Sequence, residues 1–138
     1  MASDFEELAA FLRRPGVGEH PVDEVRESVC GSCGGGRFEV RVMDTAKAAR
    51  RTCLGCGQHA FIADSLEYWD EDDEVQVVCA CVCGEEEFAA AVGFSLREDD
   101  DDVRWICVGL RCLACGRPGI YEEWLIKWGP SNYLLDHA

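Results

Sequence analysis

Four short cysteine clusters, each followed at once by glycine, constrain this chain more than any other feature. Glycine stands directly after Cys33, Cys56, Cys83 and Cys115. Three of the clusters are regular CxxC pairs, Cys30/Cys33, Cys53/Cys56 and Cys112/Cys115, and the remaining one reads Cys79-Ala80-Cys81-Val82-Cys83. A CxxC turn brings two thiolates to one side of a tight loop, where both reach one ion at about 2.3 Å. The glycine behind it takes positive φ at little steric cost, so that backbone N–H groups curl toward the sulfurs. Those donors spread the negative charge that several thiolates concentrate on one ion.

The clusters belong to an internal repeat. Cys33, Gly34 and Phe38 recur as Cys83, Gly84 and Phe88, fifty residues on, and Cys53-Leu54-Gly55-Cys56-Gly57 recurs as Cys112-Leu113-Ala114-Cys115-Gly116, fifty-nine residues on. The second copy therefore carries nine extra residues between its anchors. They fit a longer hairpin, with Arg97-Glu98-Asp99-Asp100-Asp101-Asp102, and the like charges of its five acids, forming a solvated tip.

Between the anchors the sequence alternates with a period of two. Phe38, Val40 and Val42 fall on one face and Glu39 and Arg41 on the other, the pattern of a half-buried strand. In the second copy Phe88, Ala90, Val92, Phe94 and Leu96 share a face, and Val103, Trp105 and Cys107 return on one face after the acidic turn. Asp44 to Arg51 reads as either a short helical turn or an irregular return strand. Near the start, Ser3 and Glu6 make a capping box, Phe5, Leu8, Ala9 and Leu12 recur at helical spacing, and Pro15-Gly16 stops the pattern. The expected fold is mainly β: two small antiparallel units in tandem behind a short N-terminal α-helix. Residues 1–24 hold the helix and a linker, 25–66 the first unit, 67–74 an acidic linker containing Trp69, and 75–138 the second unit with an aromatic tail.

Two knuckles per copy make one tetrahedral set. Cys30, Cys33, Cys53 and Cys56 form the first. Cys112 and Cys115 supply half of the second with Cys83, and the fourth ligand is Cys79 or Cys81. Ligand pairs usually have two to four intervening residues. That spacing, and the match of Val29-Cys30 with Val78-Cys79, favour Cys79. Cys81 and Cys107 then remain as small apolar filler, a common role for free cysteine, or as a redox pair or extra ligands.

Charge and length exclude other classes. Thirteen basic residues against 27 acidic ones give −14, which opposes a phosphate-binding surface. No apolar run approaches the roughly 18 residues of a membrane span, and Met1 to Arg14 lacks the pattern of a signal peptide. The chain reads as cytoplasmic, and in a reducing compartment ten cysteines are metal ligands more readily than disulfides.

The pattern of Cys30-Gly31-Ser32-Cys33-Gly34 followed by strands and Cys53-Leu54-Gly55-Cys56-Gly57 resembles the rubredoxin-like zinc-ribbon group. The resemblance spans residues 25–66 and again 75–128, although the knuckles lack the proline seen in many members. It implies antiparallel units of three or four strands, each closed over a structural ion between two knuckles. Two zinc ions held by four cysteines each are the expected cofactors, with iron as the alternative. Each copy is near the size below which a core alone seldom holds a fold, and binding zinc supplies roughly 10 to 16 kcal/mol. A catalytic zinc keeps one position open for water, whereas four cysteines fill all four.

The other candidates carry less. His59 lies three residues after Cys56, but Cys56 already completes its set, and His20 and His137 have no ligand spacing. The acidic runs Asp70 to Glu74 and Glu98 to Asp102 lack the alternating oxygens and glycine of a calcium loop. Trp124, Leu125, Trp128, Tyr133, Leu134 and Leu135 form an apolar tail that either anchors a partner or covers the chain's own sheet. No catalytic triad, phosphate loop or dinucleotide fingerprint is present.

The expectation is a non-enzymatic tandem zinc-ribbon protein that binds another protein, one with a basic surface. Iron-based electron transfer and inhibition of a nucleic-acid-binding partner by the acidic runs are the alternatives. Direct nucleic-acid binding would have to use Arg37, Arg41, Lys47, Arg50 and Arg51, against the total charge.

Overall fold

The computed structural model describes residues 4–14, 21–43, 48–63, 65, 69, 76–96, 103–126, 134–135 and 138. The chain runs α1 (Asp4–Leu12), β1 (Glu24–Glu27), β2 (Phe38–Met43), β3 (Ala49–Cys53), β4 (His59–Phe61), β5 (Gln76–Val78), β6 (Phe88–Leu96), β7 (Val103–Cys112) and β8 (Pro118–Leu125). The fold is mainly antiparallel β. Residues 49–53 take the strand form of the two readings open for that stretch. The capping serine, Pro15-Gly16, residues 44–47, the acidic runs at 70–74 and 98–102, His20, His137, Trp128 and Tyr133 lie outside the described residues.

The repeat is structural as well as sequential. Phe38 pairs with Cys53 in the β2–β3 hairpin, and Phe88 pairs with Cys112 in the β6–β7 hairpin. The Leu54 N–H donates to the Arg37 carbonyl at 3.0 Å, and the Leu113 N–H to the Glu87 carbonyl at 3.1 Å. These bonds join residues that correspond between the copies.

The copies do not build separate sheets. One sheet runs β4-β3-β2-β6-β7-β8, with β1 beside β6 and β5 beside β2. The strand leading into the first copy therefore lies against the second copy, from Glu24↔Phe94 to Glu27↔Ala91. The strand leading into the second lies against the first, from Arg41↔Val78 to Met43↔Gln76. Where the copies meet, Phe38 pairs with Phe88. The arrangement is a local twofold with exchanged strands. Each copy has three strands of its own, β4-β3-β2 and β6-β7-β8, and takes a fourth from the other.

Alternation places the core as expected for most of its length. Phe38, Val40, Phe88, Ala90, Val92 and Phe94 are buried together, with Leu96 packed beside them. The return strand departs from the expectation. The register shifts between Ser95 and Leu96, where Ser95 faces Trp105 but Leu96 faces Val103. This irregularity moves Val103 onto the face of Ile106, Val108 and Leu110 and leaves Cys107 on the other. The tail covers the chain's own core, since Trp124, Ile126 and Leu134 are buried in it, while Leu125 is 51% exposed.

The opposite face of β6 and β7 seats the helix. Leu8 and Leu12 are buried with Val25, Ala91 and Cys107, and Glu7 forms an ion pair with Arg111. Two glycines create the seat. A Cβ at Gly109 would lie 2.9 Å from Leu12, and one at Gly93 would lie 2.7 Å from the Cys107 sulfur. Cys107 thus fills the space between helix and sheet, the filler role open to it from sequence.

Candidate metal centres

Each knuckle is a backbone turn closed by two hydrogen bonds. In the first, the Cys30 N–H donates to the Gly35 carbonyl at 2.9 Å and the Gly34 N–H to the Cys30 carbonyl at 2.8 Å. Cys53 with Gln58 and Gly57, and Cys112 with Arg117 and Gly116, repeat the same pair of bonds. All four glycines behind the cysteines have positive φ: 76° at Gly34, 79° at Gly57, 93° at Gly84 and 78° at Gly116. A side chain at these positions would be strained, because L-residues disfavour that region.

The third knuckle is the exception, and it corrects the ligand set favoured by spacing. The second cluster consists of Cys81, Cys83, Cys112 and Cys115, not Cys79. Here the Cys81 N–H donates to the Glu85 carbonyl and the Gly84 N–H to the Cys81 carbonyl, both at 2.8 Å. Each bond spans one residue fewer than its counterpart in the other knuckles. The strand ahead of it shows why. The Cys79 N–H donates to the Val40 carbonyl at 2.8 Å, just as the Ser28 N–H donates to the Ala90 carbonyl at 3.0 Å. Cys79 is therefore the counterpart of Ser28, fifty-one residues on, and Cys81 the counterpart of Cys30. The second copy has a one-residue deletion inside its knuckle, where the match of Val29-Cys30 with Val78-Cys79 implies an insertion. Cys79 faces the apolar core, and burial, followed by the nearby Glu122 carboxylate, pushes its thiol up to about 12.

The sulfurs converge in both copies. Cys30 and Cys56 are 3.5 Å apart, Cys33 and Cys53 3.5 Å, Cys81 and Cys115 3.5 Å, and Cys83 and Cys112 3.6 Å. A disulfide has its sulfurs near 2.05 Å, so these are thiols in contact. Four sulfurs tetrahedrally placed about 2.3 Å from an ion stand roughly 3.8 Å apart. The donor set and spacing fit a thiophilic divalent cation. Both clusters have the same exposure pattern: Cys30, Cys53, Cys81 and Cys112 are buried, and Cys33, Cys56, Cys83 and Cys115 are exposed.

The electrostatics point the same way. Backbone N–H groups of Cys33 and Ser32 help lower the Cys30 thiol to about 6, and those of Cys115 and Ala114 help lower Cys112 to about 7. Their neighbours move in the opposite direction. The Gln58 amide favours the Cys56 thiolate, but the adjoining sulfurs, Cys30 foremost, outweigh it and push this thiol up to about 12. Cys83 is likewise pushed up to about 12, with the Glu85 amide outweighed by Cys112 and the sulfurs around it. Four thiolates at this spacing repel one another, and a cation among them removes the conflict.

The surroundings of the two clusters differ. Arg51 lies in the field of Cys30 and Cys53, with its guanidinium 5.0 Å from the Phe38 ring centroid and its Nε donating to the Ala138 carbonyl at 3.2 Å. Its counterpart fifty-nine residues on is Leu110, an apolar core residue. Tyr121, stacked edgewise on Phe88 at 5.3 Å, feels the second cluster instead. Its hydroxyl pKa is raised first by burial and then by Cys81 and the neighbouring sulfurs.

His59 stands outside both clusters and bonds Thr52, with 2.7 Å between Nδ1 and Oγ1. Several arginines nominated as a basic surface are engaged within the chain. Arg37 meets Glu87 at 3.4 Å, Arg41 meets Glu39 at 3.0 Å, and Arg50 lies 4.9 Å from the Trp69 ring centroid. Among the described residues no helix is long and apolar enough to cross a membrane. Comparison of the chain with family models, curated proteins and solved structures gave no match.

Proposed function

We propose that this chain is a non-enzymatic tandem zinc-ribbon module whose two ions are structural and whose rigid sheet is a surface for binding another protein. The observation that supports it most strongly is the pair of four-sulfur clusters, each assembled from two backbone-closed knuckles. Four protein ligands leave no coordination position for water or substrate, which favours a structural ion over a hydrolytic one. Zinc is the ion of choice for such a site because it has no redox chemistry and accepts tetrahedral sulfur without strain. The chain's charge of −14 favours a partner with a basic face, through faster encounter more than through affinity.

Elemental analysis and affinity capture test the two halves of this reading. Purified protein should be colourless, carry two zinc ions per chain, and retain a partner whose binding weakens as salt rises. A red protein with iron at the clusters and one-electron redox behaviour would replace the structural reading with electron transfer. Capture that is indifferent to salt would remove the basic partner.

A further inference from the structure

We propose that the two four-sulfur clusters are coupled through the exchanged strands, so that an ion in one raises the affinity of the other. The proposal rests on the reading of both clusters as metal sites and adds how they act on each other. The first cluster receives Cys30 from the end of β1. That strand is held by β6 of the second copy from Glu24↔Phe94 to Glu27↔Ala91, with the Ser28 N–H extending the ladder to Ala90. β6 in turn begins just after Cys83 and pairs with β7, whose last residue is Cys112. An ion that fixes Cys30 therefore braces the hairpin that carries half of the other cluster.

The reverse path has the same form. The second cluster receives Cys81 from the end of β5, which is held by β2 of the first copy, with the Cys79 N–H extending that ladder to Val40. β2 follows Cys33 and pairs with β3, whose last residue is Cys53. Each ion thus orders one strand that supports the other ion's ligands. Binding that orders a shared element lowers the ordering cost for the second ligand, and the effect is reciprocal.

The wild-type chain supplies the first test. Metal-free protein given one equivalent of zinc is examined by native mass spectrometry. Independent equal sites leave about half the chains with one ion, unequal sites leave more, and a roughly hundredfold coupling leaves about a tenth. The expected result is a single-ion population well below half, with empty and doubly loaded chains dominating. A single-ion population of half or more, together with unchanged zinc affinity at the second cluster when the first is disabled, overturns the coupling while leaving the metal reading intact. Failure to take up zinc at either cluster overturns the metal reading itself.

A second measurement uses Cys56→Ser, an exposed ligand of the first cluster that belongs to neither exchanged strand. Competition with a chelator should show zinc at the second cluster weakened by about tenfold or more. Amide hydrogen exchange should be faster at both Ser28 and Cys79. Unchanged affinity at the second cluster, with faster exchange at Ser28 alone, contradicts transmission through the strands.

Discussion

Phe38 and Phe88 are counterparts in the repeat, and they face each other where β2 meets β6. Each is fully buried, and each also pairs with a cysteine of its own copy, Phe38 with Cys53 and Phe88 with Cys112. The two rings therefore join hairpin, knuckle and partner copy at one point. The Phe38 ring carries Arg51 and the Phe88 ring carries Tyr121, so the symmetry ends just beyond them.

This junction makes truncation of either ring costly. Phe38→Ala and Phe88→Ala should each destabilise the metal-loaded protein by about 3 to 5 kcal/mol, measured by urea unfolding. Because the copies share a sheet, each variant should unfold in a single transition. Two separated transitions would mean that the copies are independent units.

The ligand assignment is tested by two neighbouring serines. Cys79→Ser should keep two zinc ions per chain, because serine already occupies the equivalent place at Ser28. Cys81→Ser should lose one. Zinc counted by elemental analysis after gel filtration separates them, and loss of an ion in Cys79→Ser with none in Cys81→Ser would restore the assignment favoured by spacing.

The knuckle glycines offer a paired comparison. Gly57 has φ of 79°, so Gly57→Ala should cost about 1 to 2 kcal/mol although nothing crowds the added methyl. Gly36 has similar open space without the positive φ, and Gly36→Ala should be near neutral. Thermal unfolding of both variants checks this, and equal losses would show that backbone conformation is not what the glycines supply.

Cys107 gives a dependence on alkaline pH. Burial, followed by the Glu123 carboxylate, raises its thiol from 9.0 to about 12. Above pH 9 the unfolded chain loses this proton while the folded chain keeps it, so ionisation favours unfolding. The stabilisation is complete below pH 9 and is lost as pH climbs toward 12. Cys107→Ala should flatten the fall in stability over that window, seen in urea unfolding at successive pH values. An unchanged slope would mean that Cys107 does not titrate there.

Much of this structure is legible in the chain before folding. The helix, the hairpin strands, the β6 core face and seven of the eight clustered cysteines follow from periodicity and from residues that recur. The failures share a cause: sequence periodicity describes a segment, while pairing is set by other segments. Nothing local to Glu24–Glu27 or Gln76–Val78 says that each lies in the other copy's sheet. Cys79 and Cys81 could be separated only by register, since the ladder that makes Cys79 the counterpart of Ser28 is formed with Val40. The Ser95/Leu96 irregularity likewise shows only in the pairing of β6 with β7. Gly93 and Gly109 were readable as small residues in strands, but their role depends on Val22, Leu12 and Cys107 above them.

If the ions at the two clusters are structural, the sheet exists only while they are bound. This is tested most directly by stripping zinc-loaded protein with a strong chelator under reducing conditions and recording thermal unfolding by circular dichroism. The cooperative transition should be lost, and should return when two equivalents of zinc are restored. A metal-free chain that melts with the same midpoint and the same native spectrum would contradict it.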